Sequence, residues 1–280
     1  MRSRVVFGLL TLVVTIPVLG ADEDKWSTVK GKVVFDDSKK AIPKRVFPPA
    51  AVGKVLPPCA AKDKEFLTED WIVDPKTKAV KDVVVWLAPE PTAAEWTLLK
   101  AKGKDRLRDF PNFKPTQLHP DLRALKEKTV EIDQPCCRFI PHVSAMRLGQ
   151  TLVIKNSADF AHNANYTTSN NGANNPLIPP GMDVKIPIKE PERAMIKVDC
   201  NIHGWMSAVV RVFDHPYFAV TKANGEYEIK NAPVGKHRIF IWHPEGAYFD
   251  KVNGRFGYEL DIKPKLTEVK SYMVGLEKSE

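Results

Sequence analysis

Apolar and polar positions alternate in short runs along most of the chain, the period-two signature of half-buried strands. Val29–Phe35 alternates in this way and closes on the polar turn Asp36–Lys40. Val80–Leu87 is a stronger strand, β-branched and then aromatic, and ends at Ala88-Pro89. A second group of short strands is expected at Thr129–Asp133, Ala145–Met146, Gln150–Lys155, Asp183–Ile188, Ala194–Asp199 and Ala208–Phe213. Turn signals separate them at Leu148-Gly149, Asn170-Asn171-Gly172 and Pro179-Pro180-Gly181. A third group covers Tyr217–Thr221, Glu226–Ile229, His237–Trp242, Tyr258–Ile262 and Glu268–Val274, and Asn224-Gly225 tolerates the positive φ of a hairpin turn. Two stretches break the alternation. One is Pro-rich, from Pro43 to Pro58, and leads into a weaker strand over Phe66–Val73. The other, residues 91–128, predicts a surface excursion with short helices over Thr92–Ala101 and Asp121–Lys128. Many short strands at regular spacing make the fold class all-β, a β-sandwich architecture.

Composition narrows this reading. The chain has 280 residues, 43% of them hydrophobic, enough for one large domain or two modest ones. Pro outnumbers Gly, 23 to 15, which suits turns and strand edges rather than long helices. There is no internal repeat and no low-complexity tract. Met1–Arg4 is a basic head, Val5–Leu19 an apolar run and Gly20-Ala21 a small-residue site ahead of Asp22-Glu23-Asp24. This predicts a signal peptide over 1–21 and an exported, periplasmic or extracellular protein with no membrane span after cleavage. The net charge of +8 is spread along the chain without aromatic interleaving, so no nucleic-acid partner is expected.

Candidate chemistry is concentrated in Cys200-Asn201-Ile202-His203-Gly204-Trp205-Met206. A thiolate, an imidazole and a thioether lie within seven residues, and a second imidazole, His162, sits upstream after the strand ending at Lys155. Two His, one Cys and a weakly bound Met are the ligand set of a blue-copper electron-transfer site. The metal ligands are therefore expected to be His162, Cys200, His203 and Met206, with Asn163 and Asn201 behind them. No catalytic residue is expected and the chain is read as a non-enzyme, because His203 lies too close in the loop to serve Cys200 as a base. His142, His215, His243 and Trp242 read as core or surface residues. With Cys200 on a metal, three cysteines remain, and one bridge is expected, from Cys59 to Cys137 or Cys136.

The segment from Val130 to Asp214 resembles the cupredoxin family of amicyanin- and plastocyanin-like blue-copper domains. The resemblance rests on Cys200-x-x-His203-x-x-Met206, on His162-Asn163 and on Gly149 followed by Thr151–Asn156. It implies one type 1 copper ion and single-electron exchange with a redox protein such as a c-type cytochrome or a dehydrogenase. It also implies that Asn163 ties the ligand loops together, that Met206 is axial and that partners dock beside His203, Gly204 and Trp205. Gly204 and Trp205 depart from the amicyanin pattern, which has Pro and a smaller aromatic there. A second resemblance is to the carboxypeptidase regulatory-like, or transthyretin-like, β-sandwich. It rests on Thr221–Ile229 and Ala232–Ile241, with Gly31-Lys32-Val33 and Val83–Leu87 supplying the earlier strands. It implies a split sandwich, 27–90 plus 215–275, with the cupredoxin domain 129–214 inserted. Alternatives from other classes are a cell-surface interaction or carbohydrate-associated β-sandwich protein, and copper storage or delivery. The oligomeric state is left open.

Overall fold

The computed structural model describes residues 23–38, 41–54, 56–57, 59–60, 66–101, 110–192, 194–249 and 254–274. The expected signal peptide lies outside the described residues. The protein is all-β, with only short helices. Two pairs of sheets are stacked face to face.

The outer pair is built from both ends of the chain. Trp26–Phe35 pairs antiparallel with Glu226–Pro233 and parallel with Lys265–Glu268 and Tyr272–Val274. The facing sheet is ordered Phe218–Val220, Val84–Pro89, Gly235–His243, with Tyr258–Ile262 and Ala247–Tyr248 along its far edge. Val29, Val33, Val85, Leu87, Ile229, Ile239 and Ile241 fill the space between these sheets. Residues 129–213 form the second pair. One sheet runs Asp183–Pro187, Thr151–Lys155, Thr129–Cys136, Arg138–Ile140. The other runs Val143–Arg147, Ser207–Phe213, Ile196–Asp199, Asn165–Thr167, Ala173–Asn174. Ile132, Leu152, Ile154, Val198, Ala208 and Val210 pack between them.

The two pairs share a wall. In Val84–Pro89 the alternate residues Val85 and Leu87 face the outer core, while Val84, Trp86 and Ala88 face the inserted unit. Phe240 and Trp242 do the same on the neighbouring strand, and Val143, Val209 and Phe213 meet them from the other side. Both faces of this sheet are buried, which is why Val83–Leu87 is a continuous apolar run. Arg211 stacks on Trp86 and Trp242 at this seam, its Cζ 5.2 and 4.7 Å from the ring centroids.

Several expected elements are altered. Phe66–Val73 is not a strand; Val73 makes only an isolated bridge to Val80. Its two ends are claimed by different cores, Phe66 by the inserted unit and Trp71 by the outer sandwich. Ala51, Ala60 and Phe66 accordingly lie in the core of the inserted unit, although the split reading places 27–90 in the outer sandwich. The helix expected over Asp121–Lys128 is only Pro120–Arg123 and buries no residue. The first helix, Ala93–Ala101, follows expectation and is capped reciprocally by Thr92 and Glu95. The terminal strand divides into Lys265–Glu268 and Tyr272–Val274.

Candidate metal centre

The strand Ile196–Asp199 pairs antiparallel with Ser207–Phe213, Asp199 opposite Ser207, so Cys200–Met206 is the loop of a hairpin. Ile196 and Val198 are buried, and the same alternation turns Cys200 inward. The loop is closed by Cys200 N–H donating to the Met206 carbonyl at 3.1 Å. Met206 N–H donates to the His203 carbonyl at 2.8 Å, which folds the loop back on itself. His162 arrives from the two-residue strand His162–Asn163, paired with Leu177–Ile178. Asn156 shapes this approach: its Nδ2 donates to the carbonyls of Phe160 (2.9 Å) and Ile178 (2.8 Å).

These elements bring three donor atoms together. His162 Nδ1 and His203 Nδ1 are 3.1 Å apart, and Cys200 Sγ lies 3.9 and 3.8 Å from them. Donors sharing one ion cannot be farther apart than their summed bond lengths, about 4.1 Å for two imidazoles at ~2.05 Å and about 4.3 Å for imidazole and thiolate. All three separations meet that test. Burial, and secondarily the neighbouring His203, holds His162 down at about 4. Burial also lowers His203. Both rings are therefore neutral near neutral pH, the form that donates a lone pair. Among the described residues this is the one grouping of three His, Cys, Asp or Glu side chains close enough to hold a metal ion.

Asn163 links the two ligand loops. Its Oδ1 accepts from the N–H groups of Asn201 (2.8 Å) and Ile202 (3.1 Å) and lies 3.3 Å from Cys200 Sγ. Its Nδ2 donates to Asn201 Oδ1 at 3.1 Å and to Asn175 Oδ1 at 2.5 Å. It is thus the side chain of Asn163 that approaches the sulfur. Met206 is buried in the same core as Cys200. Gly204 is exposed and Trp205 half-buried. Trp205 is not a free docking face: its Nε1–H donates to the Cys137 carbonyl at 3.2 Å and its ring meets Phe66 edge-on at 5.9 Å. Phe160, which the sequence reading missed, packs edge-on against His162 and His203 at 5.0 and 5.8 Å.

Of the two pairings considered, the disulfide is Cys59–Cys136. Cys137 is free and buried, and burial pushes its thiol up to about 12, which makes it unreactive.

No family model matches the chain, and no curated protein matches it. Solved structures resemble part of it. A reduced amicyanin variant is 16% identical over 30% of this chain and 82% of its own, with a TM-score of 0.27. A purple cupredoxin from Nitrosopumilus maritimus is 20% identical over 30% of this chain and 98% of its own, with a TM-score of 0.26.

Proposed function

We propose that this chain is an exported type 1 copper protein that carries single electrons. The observation that supports this best is the convergence of His162 Nδ1, His203 Nδ1 and Cys200 Sγ within 4.8 Å of one another. A closed structural zinc site uses four N or S donors from Cys and His. Two imidazoles, one thiolate and a nearby thioether residue match the blue-copper set better. His162, Cys200 and His203 would hold the ion, with Met206 as the weak fourth donor. Bound copper supplies one-electron exchange between Cu(II) and Cu(I).

The chain's own residues do the rest. His162 and Cys200 are buried, and Phe160 covers both rings, so water is kept from the donor side. Asn163 holds the loop 200–206 and the strand 162–163 in register, so the donors need not move when the charge changes. His203 is half-buried and stands beside exposed Gly204 and Ile202. That edge is where a redox partner such as a c-type cytochrome or a dehydrogenase would approach. The outer sandwich, read as carboxypeptidase regulatory-like and non-catalytic, would serve as a mount.

The test is a visible spectrum of the copper-loaded chain beside Cys200→Ser. An intense absorption that disappears on reduction, and is missing in Cys200→Ser, is the expected result. A colourless site that takes only Cu(I) would instead mean storage or delivery.

A further inference from the structure

Trp205 stands inside the loop 200–206, between His203 and Met206. Its ring centroid is 5.3 Å from that of His203, tilted against it by 56°. The indole is held from two directions. Its Nε1–H donates to the Cys137 carbonyl at 3.2 Å, and Phe66 meets the ring edge-on at 5.9 Å. These two supports come from stretches of chain far apart in sequence, and the Cys59–Cys136 bridge joins the same two stretches. Cys137 follows Cys136 directly, and Phe66 lies a short way beyond Cys59.

Sheet pairing alone holds the supports weakly. The strand Thr129–Cys136 pairs with Thr151–Lys155 only as far as Asp133. A register shift follows, and Cys136 is then paired on one side, with Arg138 in the three-residue strand Arg138–Ile140. Phe66 belongs to no strand. The bridge is the covalent link between these two weakly paired stretches, across 77 residues of sequence. It also stays as it is: burial pushes the adjacent Cys137 thiol up to about 12, and a protonated thiol does not exchange with a disulfide.

A metal-binding imidazole keeps its orientation through the groups around it. His203 is only half-buried, so the rings that touch it carry much of that task. Phe160 packs on it edge-on at 5.8 Å, and Trp205 is the closer of the two. A partly buried indole N–H that loses its acceptor is driven to find another, and the ring moves with it.

We propose that Trp205 is a positioning residue for His203, and that the Cys59–Cys136 bridge fixes Trp205 by tying its two supports together. This rests on the copper reading only for the identity of the ion; the ordering of His203 belongs to the metal-free chain.

Two variants of the full chain test it. Cys59→Ala with Cys136→Ala removes the bridge and leaves no new thiol. Trp205→Phe keeps the bridge and a ring but removes the N–H donor. With isotope-labelled histidine and no metal, the ring-nitrogen signals of His203 are expected to broaden in both variants, while those of His215 and His243, in the outer part of the molecule, stay as they are. Copper(I), measured by competition with a chromophoric chelator, is expected to be held at least about tenfold more weakly by both. Should His215 and His243 also move in the bridge variant, that variant has lost its fold and Trp205→Phe decides. Unchanged His203 signals in Trp205→Phe, or copper(I) held as tightly as by the unaltered chain, would overturn the proposal. Failure of the unaltered chain to take copper would sink the copper reading instead, and the His203 signals would still decide this one.

Discussion

At the scale of single residues, the candidate metal centre depends on groups of modest size with several hydrogen bonds each. Asn163 is the clearest case. Asn163→Ala leaves the N–H groups of Asn201 and Ile202 without their acceptor. The expected cost is about 1–2 kcal/mol of stability, read as a lower urea midpoint of the metal-free chain, together with faster alkylation of Cys200. Two glycines give opposite expectations. A Cβ on Gly204 meets nothing within 4 Å, so Gly204→Ala should change stability by less than about 0.5 kcal/mol. A Cβ on Gly31 would sit 2.3 Å from the Tyr227 hydroxyl, and Gly31→Ala should cost about 1–3 kcal/mol by thermal unfolding. The convergence of His162, Cys200 and His203 was legible in the sequence because metal chemistry restricts residue type and spacing so tightly. The choice between Cys136 and Cys137 was not. Ile132 and Gln134 are buried, and strict alternation would send Cys136 inward as well. A register shift between Asp133 and Cys136 reverses the parity, so Cys137 enters the core and Cys136 turns out toward Cys59. A bulge of this kind leaves no mark in the hydrophobic pattern.

At the scale of elements, the least legible part is the segment 41–71. Pro-rich at first and then read as a weak strand over Phe66–Val73, it predicts no such placement, yet Ala51, Ala60 and Phe66 lie in the inserted core and Cys59 is bridged to Cys136. The bridge also flanks the site, since the next residue, Cys137, holds the Trp205 indole. The disulfide spans 77 residues, for which the chain-entropy model gives about 4 kcal/mol. Cys59→Ser should lower the thermal midpoint, redden Trp fluorescence as Trp205 loses Phe66, and raise the alkylation rate of Cys200 in the metal-free chain. If the alkylation rate stays the same, the segment does not cover the site. The hairpin carrying Cys200–Met206 and the buried strand through Val84–Leu87 were, by contrast, readable from period-two alternation and an unbroken apolar run.

At the scale of the molecule, stability should fall in mild acid. Burial holds His215 and His243 at about 3, the latter also stacked on Trp71 at 3.9 Å. Their folded values lie below the unfolded value of about 6.5, so the unfolded chain takes up protons first as pH falls. The stability is full above about 6.5 and is lost through the window down to about 3. Between about pH 7 and pH 5 each should cost about 2 kcal/mol, read as a lower urea midpoint. Glu69, Glu245 and Asp214, raised by burial, act the other way as pH falls. His243→Phe keeps a ring against Trp71 and should remove the share of His243 alone, about 2 kcal/mol between about pH 7 and pH 5; an unchanged acid response would discount His243. The pairing of Trp26–Phe35 with Glu226–Pro233 and Lys265–Glu268 puts strands from both ends of the chain in one sheet. The shared wall went unforeseen, since no pattern within one strand tells which neighbour lies beyond it. Its apolar surfaces, Val143, Val209 and Phe213 on one side and Trp86, Phe240 and Trp242 on the other, would be laid bare if 129–213 were excised. The unit with the candidate metal site is thus bolted to the outer sandwich rather than tethered. Wherever the outer sandwich is fixed, the direction in which His203 looks out is fixed with it.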